Sequence, residues 1–123
     1  MIFIGIDPGV SGAFATIVTR GKSTKVESFD YLDIPTLRID NGNRREVDAT
    51  KLFDMLWMRT HRLTALVALE KVHSMPAQGV ASTFTFGKAT GTIIGCLAGA
   101  GLLESTTLVT PQAWKKAMLK DMP

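Results

Sequence analysis

The sequence predicts an α/β domain built on a mixed five-stranded sheet, with an antiparallel three-strand meander, further parallel strands and flanking helices. Three observations carry this expectation. Two short apolar runs, residues 2–6 and 65–69, each stop at a carboxylate, Asp7 and Glu70. A helical pattern lies between them, as a crossover joining two parallel strands requires. Gly-rich turns at residues 8–12 and 21–24 punctuate the first 32 residues into strands of hairpin spacing.

The elements follow in order. Residues 2–6, IFIGI, read as a strand buried on both faces. Residues 13–19 return beside it, and residues 26–32, more polar, make a third strand nearer an edge. Residues 35–47 carry turn formers and charges, RIDNGNRRE among them, and show no period, so they read as a long loop. Asp48 can cap a helix whose apolar residues Ala49, Leu52, Phe53 and Leu56 fall on one face, ending near His61. Residues 65–69 form a second all-apolar strand, and residues 73–79 a loop. Residues 80–99 read as a helix with glycine at 87, 91, 95 and 99. Each of those glycines costs about 1 kcal/mol against alanine in a helix interior, so some close approach must offset the loss, within the subunit or between two copies. Residues 107–109 form a short strand, and Pro111 opens a last helix carrying Ala113, Trp114, Ala117 and Met118.

Composition limits the function. With 123 residues, 46% of them apolar and 20% charged, the chain suits one globular domain spanning 1–123 with its own core. Its single cysteine, Cys96, rules out an internal disulfide and reads as an inert core residue. No apolar stretch approaches the ~20 residues of a membrane span, and the short apolar start lacks a basic leader, so a cytoplasmic protein with no membrane partner is expected. The net charge of +3 permits a polyanionic partner. Basic residues cluster at Arg38, Arg44 and Arg45, at Arg59 and Arg62, and at Lys115, Lys116 and Lys120.

Asp7 and Glu70 carry the chemistry. If their strands are parallel neighbours, both side chains leave the sheet at its carboxyl edge, where open α/β sheets bind ligands. Two carboxylates that close repel, and one gains a proton unless a cation intervenes. Mg²⁺ fits, because it accepts one or two carboxylates and leaves sites for water and phosphate oxygens. Two such ions ~4 Å apart activate water and stabilise a leaving oxygen in phosphodiester hydrolysis. Asp7 would bridge them and Glu70 would hold one. A strand-terminal Asp before Pro-Gly also serves as a plain turn former; Glu70 is harder to dismiss, since turns prefer Asp.

The segment IGIDPGVSGA resembles the first motif of the RuvC family of Holliday-junction resolvases, within the RNase H-like (retroviral integrase) superfamily. ALEKVHSMPAQGVASTFTFGKATG resembles its second, and VTPQAWKKAML the approach to its later basic region. The likeness spans residues 2–119 and is nearest to phage-type members. It implies an RNase H-like fold and a homodimeric, Mg²⁺-dependent endonuclease (Mn²⁺ substituting) that cuts four-way or other branched DNA without a small-molecule cofactor. Its place would be the cytoplasm of a bacterium or a phage-infected host. By resemblance Asp7 and Glu70 are the first two metal-binding acids. Lys115 falls where the family carries a basic residue near the scissile phosphate, with Lys116 as second choice. His73 falls where relatives carry an aromatic at the junction centre. The family takes two further acids from a final helix, which this sequence does not reach; Asp121 is no substitute. The chain as given is therefore expected to bind metal weakly and to cleave poorly, if at all.

Further candidate DNA contacts are Ser11, Ser74, Gln78, Ser82, Arg44, Arg45 and Lys88, each with simple solvation as the plain alternative. Trp114 reads as a core or dimer anchor, and Met55, Met58 and Met118 as core filling. Three other functions stay open: a non-catalytic module that binds branched DNA, a resolvase-like protein acting on RNA, and a fragment of an actin-like or sugar-kinase phosphotransferase.

Overall fold

The computed structural model describes residues 1–61, 63, 65–71 and 79–120. Its main sheet has five strands in the order β3-β2-β1-β6-β7: β1 (Ile2–Asp7), β2 (Ala13–Thr19), β3 (Val26–Asp33), β6 (Ala65–Glu70) and β7 (Thr106–Val109). β1, β2 and β3 form an antiparallel meander, while β6 lies parallel to β1 and β7 parallel to β6. The expected mixed sheet is therefore present. Three helices accompany it: α1 (Ala49–Thr60), α2 (Val80–Gly99) and α3 (Pro111–Leu119).

Local chemistry explains the boundaries. Asp48 caps α1 as expected, its Oδ1 accepting from the Lys51 backbone N–H at 3.1 Å. The helix ends where His61 turns left-handed, at φ 47°. Thr110 caps α3 by accepting from Ala113 N–H at 3.1 Å, and Pro111 takes the first turn, where no N–H is needed.

Among the described residues, α1 and α2 cover one face of the sheet and leave the other largely open, which corrects the expectation of strands buried on both. Ile4, Ile6, Val67 and Leu69 are buried against Leu52 and Leu56 of α1 and Ile93 and Leu97 of α2. The alternate residues Gly5, Leu66 and Ala68 are exposed. Both runs look uniformly apolar because the second face is apolar too: Ile17, Phe29, Tyr31 and Leu66 stand open on it, with Phe29 67% and Tyr31 71% exposed. Met58 and Met118 are also exposed rather than core, while Met55 packs against the core. Cys96 is buried, its thiol donating to Ala49 O at 3.4 Å and pushed up in pKa by burial.

The expected loop at 35–47 is instead a hairpin. Here β4 (Thr36–Ile39) pairs antiparallel with β5 (Arg44–Val47) as a separate two-stranded sheet. A tight turn joins them, with Asp40, Asn41 and Gly42 at φ 52°, 57° and 89°. Charges on these strands mask the alternation that marks a half-buried strand. The Asn41-Gly42 pair, a strong hairpin signal, was the legible clue.

Candidate active site and nucleic-acid interface

Register places the two acids. Ile6 pairs with Leu69 in the parallel ladder, so Asp7 and Glu70 stand side by side one step further on. Ile6 and Leu69 point into the core, and the period of two therefore turns Asp7 and Glu70 to the open face. Neighbouring strands lie ~4.8 Å apart, a spacing at which two carboxylates can share a cation. Both line a cavity of about 400 Å³ whose floor includes Gly5, Ala15 and Ala68. These three small residues fall in one row across β2, β1 and β6. The next row toward the amino ends is Ile17, Phe3 and Leu66, all bulky. The hollow beside the acids is thus written in side-chain size.

The turn after Asp7 is held by its backbone. Gly12 N–H donates to Gly9 O at 3.2 Å, and Ile34 N–H to Gly12 O at 3.0 Å. A Cβ at Gly12 would overlap the Asp7 carbonyl oxygen, so glycine alone lets the chain return so close to the acid. Gly9, at φ 122°, faces the ring of Phe86.

Partial burial, followed by the negative charge of Glu70, raises the Asp7 carboxyl above the usual aspartate range. Nothing cationic among the described residues neutralises the pair. Trp114 Nε1 donates to Glu70 Oε2 at 2.9 Å, fixing that carboxylate from α3. Trp114 is exposed and lines the cavity, so of the expected core or dimer anchor the core alternative fails; its position beside Lys115 was the only sequence clue to this placement. The Lys115 Nζ lies 5.8 Å from the centre of the Trp114 ring, while Trp114 rather than Lys115 lines the cavity. Lys116 is exposed on the same helix, without an ion pair among the described residues. Asp33 occupies the row of Asp7, paired with Ala13 two strands away. At roughly 10 Å, twice the strand spacing, it is too far to share an ion. No group of three or more His, Cys, Asp or Glu with metal-site geometry occurs among the described residues. A hard, two-carboxylate oxygen set carrying unrelieved repulsion fits Mg²⁺.

A second cluster lies away from the acids. Arg44, Arg45 and Lys88 line one cavity between the hairpin and α2, joined by Arg38. Ser82 lines an adjoining hollow that shares Val10, Arg44, Phe84 and Thr85 with it. Ser11 is exposed in the turn after Asp7. His73, Ser74, Gln78, Arg62 and Asp121 lie outside the described residues. No helix among the described residues is long and apolar enough to cross a membrane.

A five-stranded mixed sheet in this order, with an acid pair at its carboxyl edge, defines the RNase H-like class of fold. Within that class the chain matches RuvC from Thermus thermophilus. A structure of that protein in complex with Holliday junction substrate superposes with a TM-score of 0.63 at 16% identity, covering 95% of this chain and 69% of that one. A second structure of Thermus thermophilus RuvC gives 0.56 at 17% identity, covering 96% and 69%. No family model and no curated protein sequence matches the chain. The likeness to RuvC is therefore one of fold.

Proposed function

We propose that this domain belongs to a Mg²⁺-dependent endonuclease that resolves Holliday junctions or other branched DNA by phosphodiester hydrolysis. One observation carries the reading: the β1–β6 register stands Asp7 beside Glu70 on an open face, with the Asp7 carboxyl raised by partial burial and then by the charge of its neighbour. The fold match to a protein solved with a Holliday junction supports the choice of substrate.

Asp7 and Glu70 would hold the metal, and Trp114 would fix the rotamer of Glu70. A Mg²⁺ ion held there would supply a more acidic water and charge screening at a phosphate oxygen. Lys115 would meet the phosphate that enters above the cavity. Two carboxylates fall short of a complete two-ion site. Full activity is therefore expected from a chain extended past Pro123 by an acid-bearing helix, which the open sheet face can receive. The chain as given is expected to bind metal weakly and to cut little. On this reading it acts in the cytoplasm of a bacterium or a phage-infected host.

A homodimer through α2 belongs to the same proposal. Among the described residues a Cβ at Gly87, Gly91 or Gly95 would meet nothing within 4 Å, so no packing described within the subunit accounts for these three glycines. A second helix approaching that face does. Sedimentation of wild type against Gly91→Leu tests it, and equal self-association would count against a dimer.

The deciding experiment is cleavage of a labelled four-way junction in Mg²⁺ by the given chain and by an extended one, each beside Asp7→Asn. The extended chain should cut and its Asn variant should not. Junction binding without cutting by every form would favour the non-catalytic module, the reading that the two-acid site leaves as second choice.

A further inference from the structure

We infer that the groove between the β4–β5 hairpin and α2 is a second phosphate-binding site, which grips the backbone of a DNA arm apart from the scissile bond and braces the Asp7 turn. This rests on the nucleic-acid reading above and extends it to a surface that lining residues separate from the acid pair. The cavity, about 380 Å³, brings together Arg38, Arg44, Arg45 and Lys88 against one carboxylate, Glu46. Arg44 is matched by Asp40, its Nε 2.8 Å from Oδ2, and Lys88 pairs with Glu46. Arg38 and Arg45 have no carboxylate partner among the described residues. Instead, backbone carbonyls hold them in place. Arg38 Nη1 donates to Gly42 O at 3.1 Å, and Arg45 Nη2 to Val10 O at 2.7 Å. Each guanidinium has five donor N–H groups, so both keep donors for an anion while their positions are fixed.

Charge and placement select the ligand. Two unneutralised guanidiniums on one wall of an open groove suit a diester phosphate, and a run of such phosphates suits the adjoining hollow that includes Arg44 and Ser82. Arg45 also joins the groove to the proposed cleavage site. It bonds Val10, three residues after Asp7, and reaches Thr36 Oγ1 at 3.4 Å across the hairpin. A strand seated on the hairpin therefore steadies the loop that carries the acid. The Glu46 carboxylate occupies Lys88 in the absence of DNA, and an entering phosphate takes its place.

The test is binding of a labelled four-way junction, and of a plain duplex, to the full chain without divalent metal between 50 and 200 mM salt. Arg38→Gln and Lys88→Gln should each remove about one counterion's worth of salt dependence, which shrinks the affinity lost across that range by about 3.5-fold per contact. Glu46→Gln, which releases Lys88, should tighten binding several-fold; a structural defect would not do so. Circular dichroism confirms folding of each variant. Unchanged affinity and slope in folded Arg38→Gln and Lys88→Gln would overturn the site. So would an acidic peptide that binds these residues while DNA does not. Cleavage by the extended chain with unaltered slopes refutes the groove alone. Reduced slopes without any cleavage refute the nuclease reading and leave the groove standing.

Discussion

The acid pair and the basic groove sit on either side of the Asp7–Val10 turn, yet they are built by opposite means. Asp7 and Glu70 are aimed by backbone: a parallel register, a period of two and a glycine that admits no Cβ. The groove is aimed by side chains, with long arginines on a small hairpin tied down by two carbonyl bonds and two exposed ion pairs. Backbone aiming gives the tolerance of a fraction of an ångström that metal ligands need. Side-chain aiming allows adjustment, which suits phosphates spaced along a flexible polyanion. The acid site should therefore fail sharply under single substitutions, and the groove gradually.

The largest effect expected is at Asp7. In an extended, active chain, Asp7→Asn should reduce Mg²⁺-dependent junction cleavage by more than the 10- to 100-fold typical of partners one step removed from a metal. Its effect on metal-free stability has the opposite sign. The Asp7 carboxyl is raised in the fold, so its contribution is fully present below the ordinary aspartate range and is lost as pH rises through the raised value. Asp7→Asn should then melt higher than wild type at pH 7 without metal, and the two should converge as the medium is made acidic. Thermal melts across pH check this, and a lower melting point for the variant at neutral pH would remove the repulsion argument.

Gly12→Ala tests backbone aiming without touching an acid. Its Cβ must displace the Asp7 carbonyl or strain the turn, at a cost of about 1–3 kcal/mol by denaturant melt. Mg²⁺ affinity by calorimetry should fall along with stability, whereas duplex binding in the groove should change much less. Equal losses at both places would mean that the two regions are not built differently.

Trp114→Phe comes next. It keeps the ring and removes the N–H that Glu70 accepts. Metal affinity should drop about 10-fold, with a stability change near 1 kcal/mol. An unchanged affinity would show that Glu70 is fixed by its strand alone.

The same contrast decides what the sequence reveals. Strand-acid-turn and strand-acid, separated by a helical pattern, were readable because backbone periodicity is written in single letters; the meander, the crossover, the Asp48 cap and the start of α3 at Pro111 were readable beside them. The one-sided cover of the sheet was not readable, because Phe3, Ile17 and Leu66 make the open face as apolar as the buried one. The core reading of Trp114 failed because indole is both apolar filler and hydrogen-bond donor, and only three-dimensional proximity to Glu70 separates the roles. The hairpin was missed because Arg38, Arg44, Arg45 and Glu46 hide its alternation. The same charges had marked Arg44 and Arg45 as candidates for phosphate contact, so the basic character of the groove was visible before its architecture.

The smallest effect expected lies in that hairpin. Gly42 holds φ 89° in the turn between β4 and β5, a conformation that alanine adopts only under strain. Gly42→Ala should cost about 1 kcal/mol, little of it global, because β4 and β5 pair only with each other. It should also disturb the carbonyl that holds Arg38, so the salt dependence of duplex binding should fall slightly while the Mg²⁺ affinity of the acid pair stays as in wild type. Arg45 bonds Val10 from the far strand and should keep the hairpin docked. If Mg²⁺ affinity falls as well, the hairpin and the acid turn move as one body, and the bond from Arg45 to Val10 is the first place to look for the link.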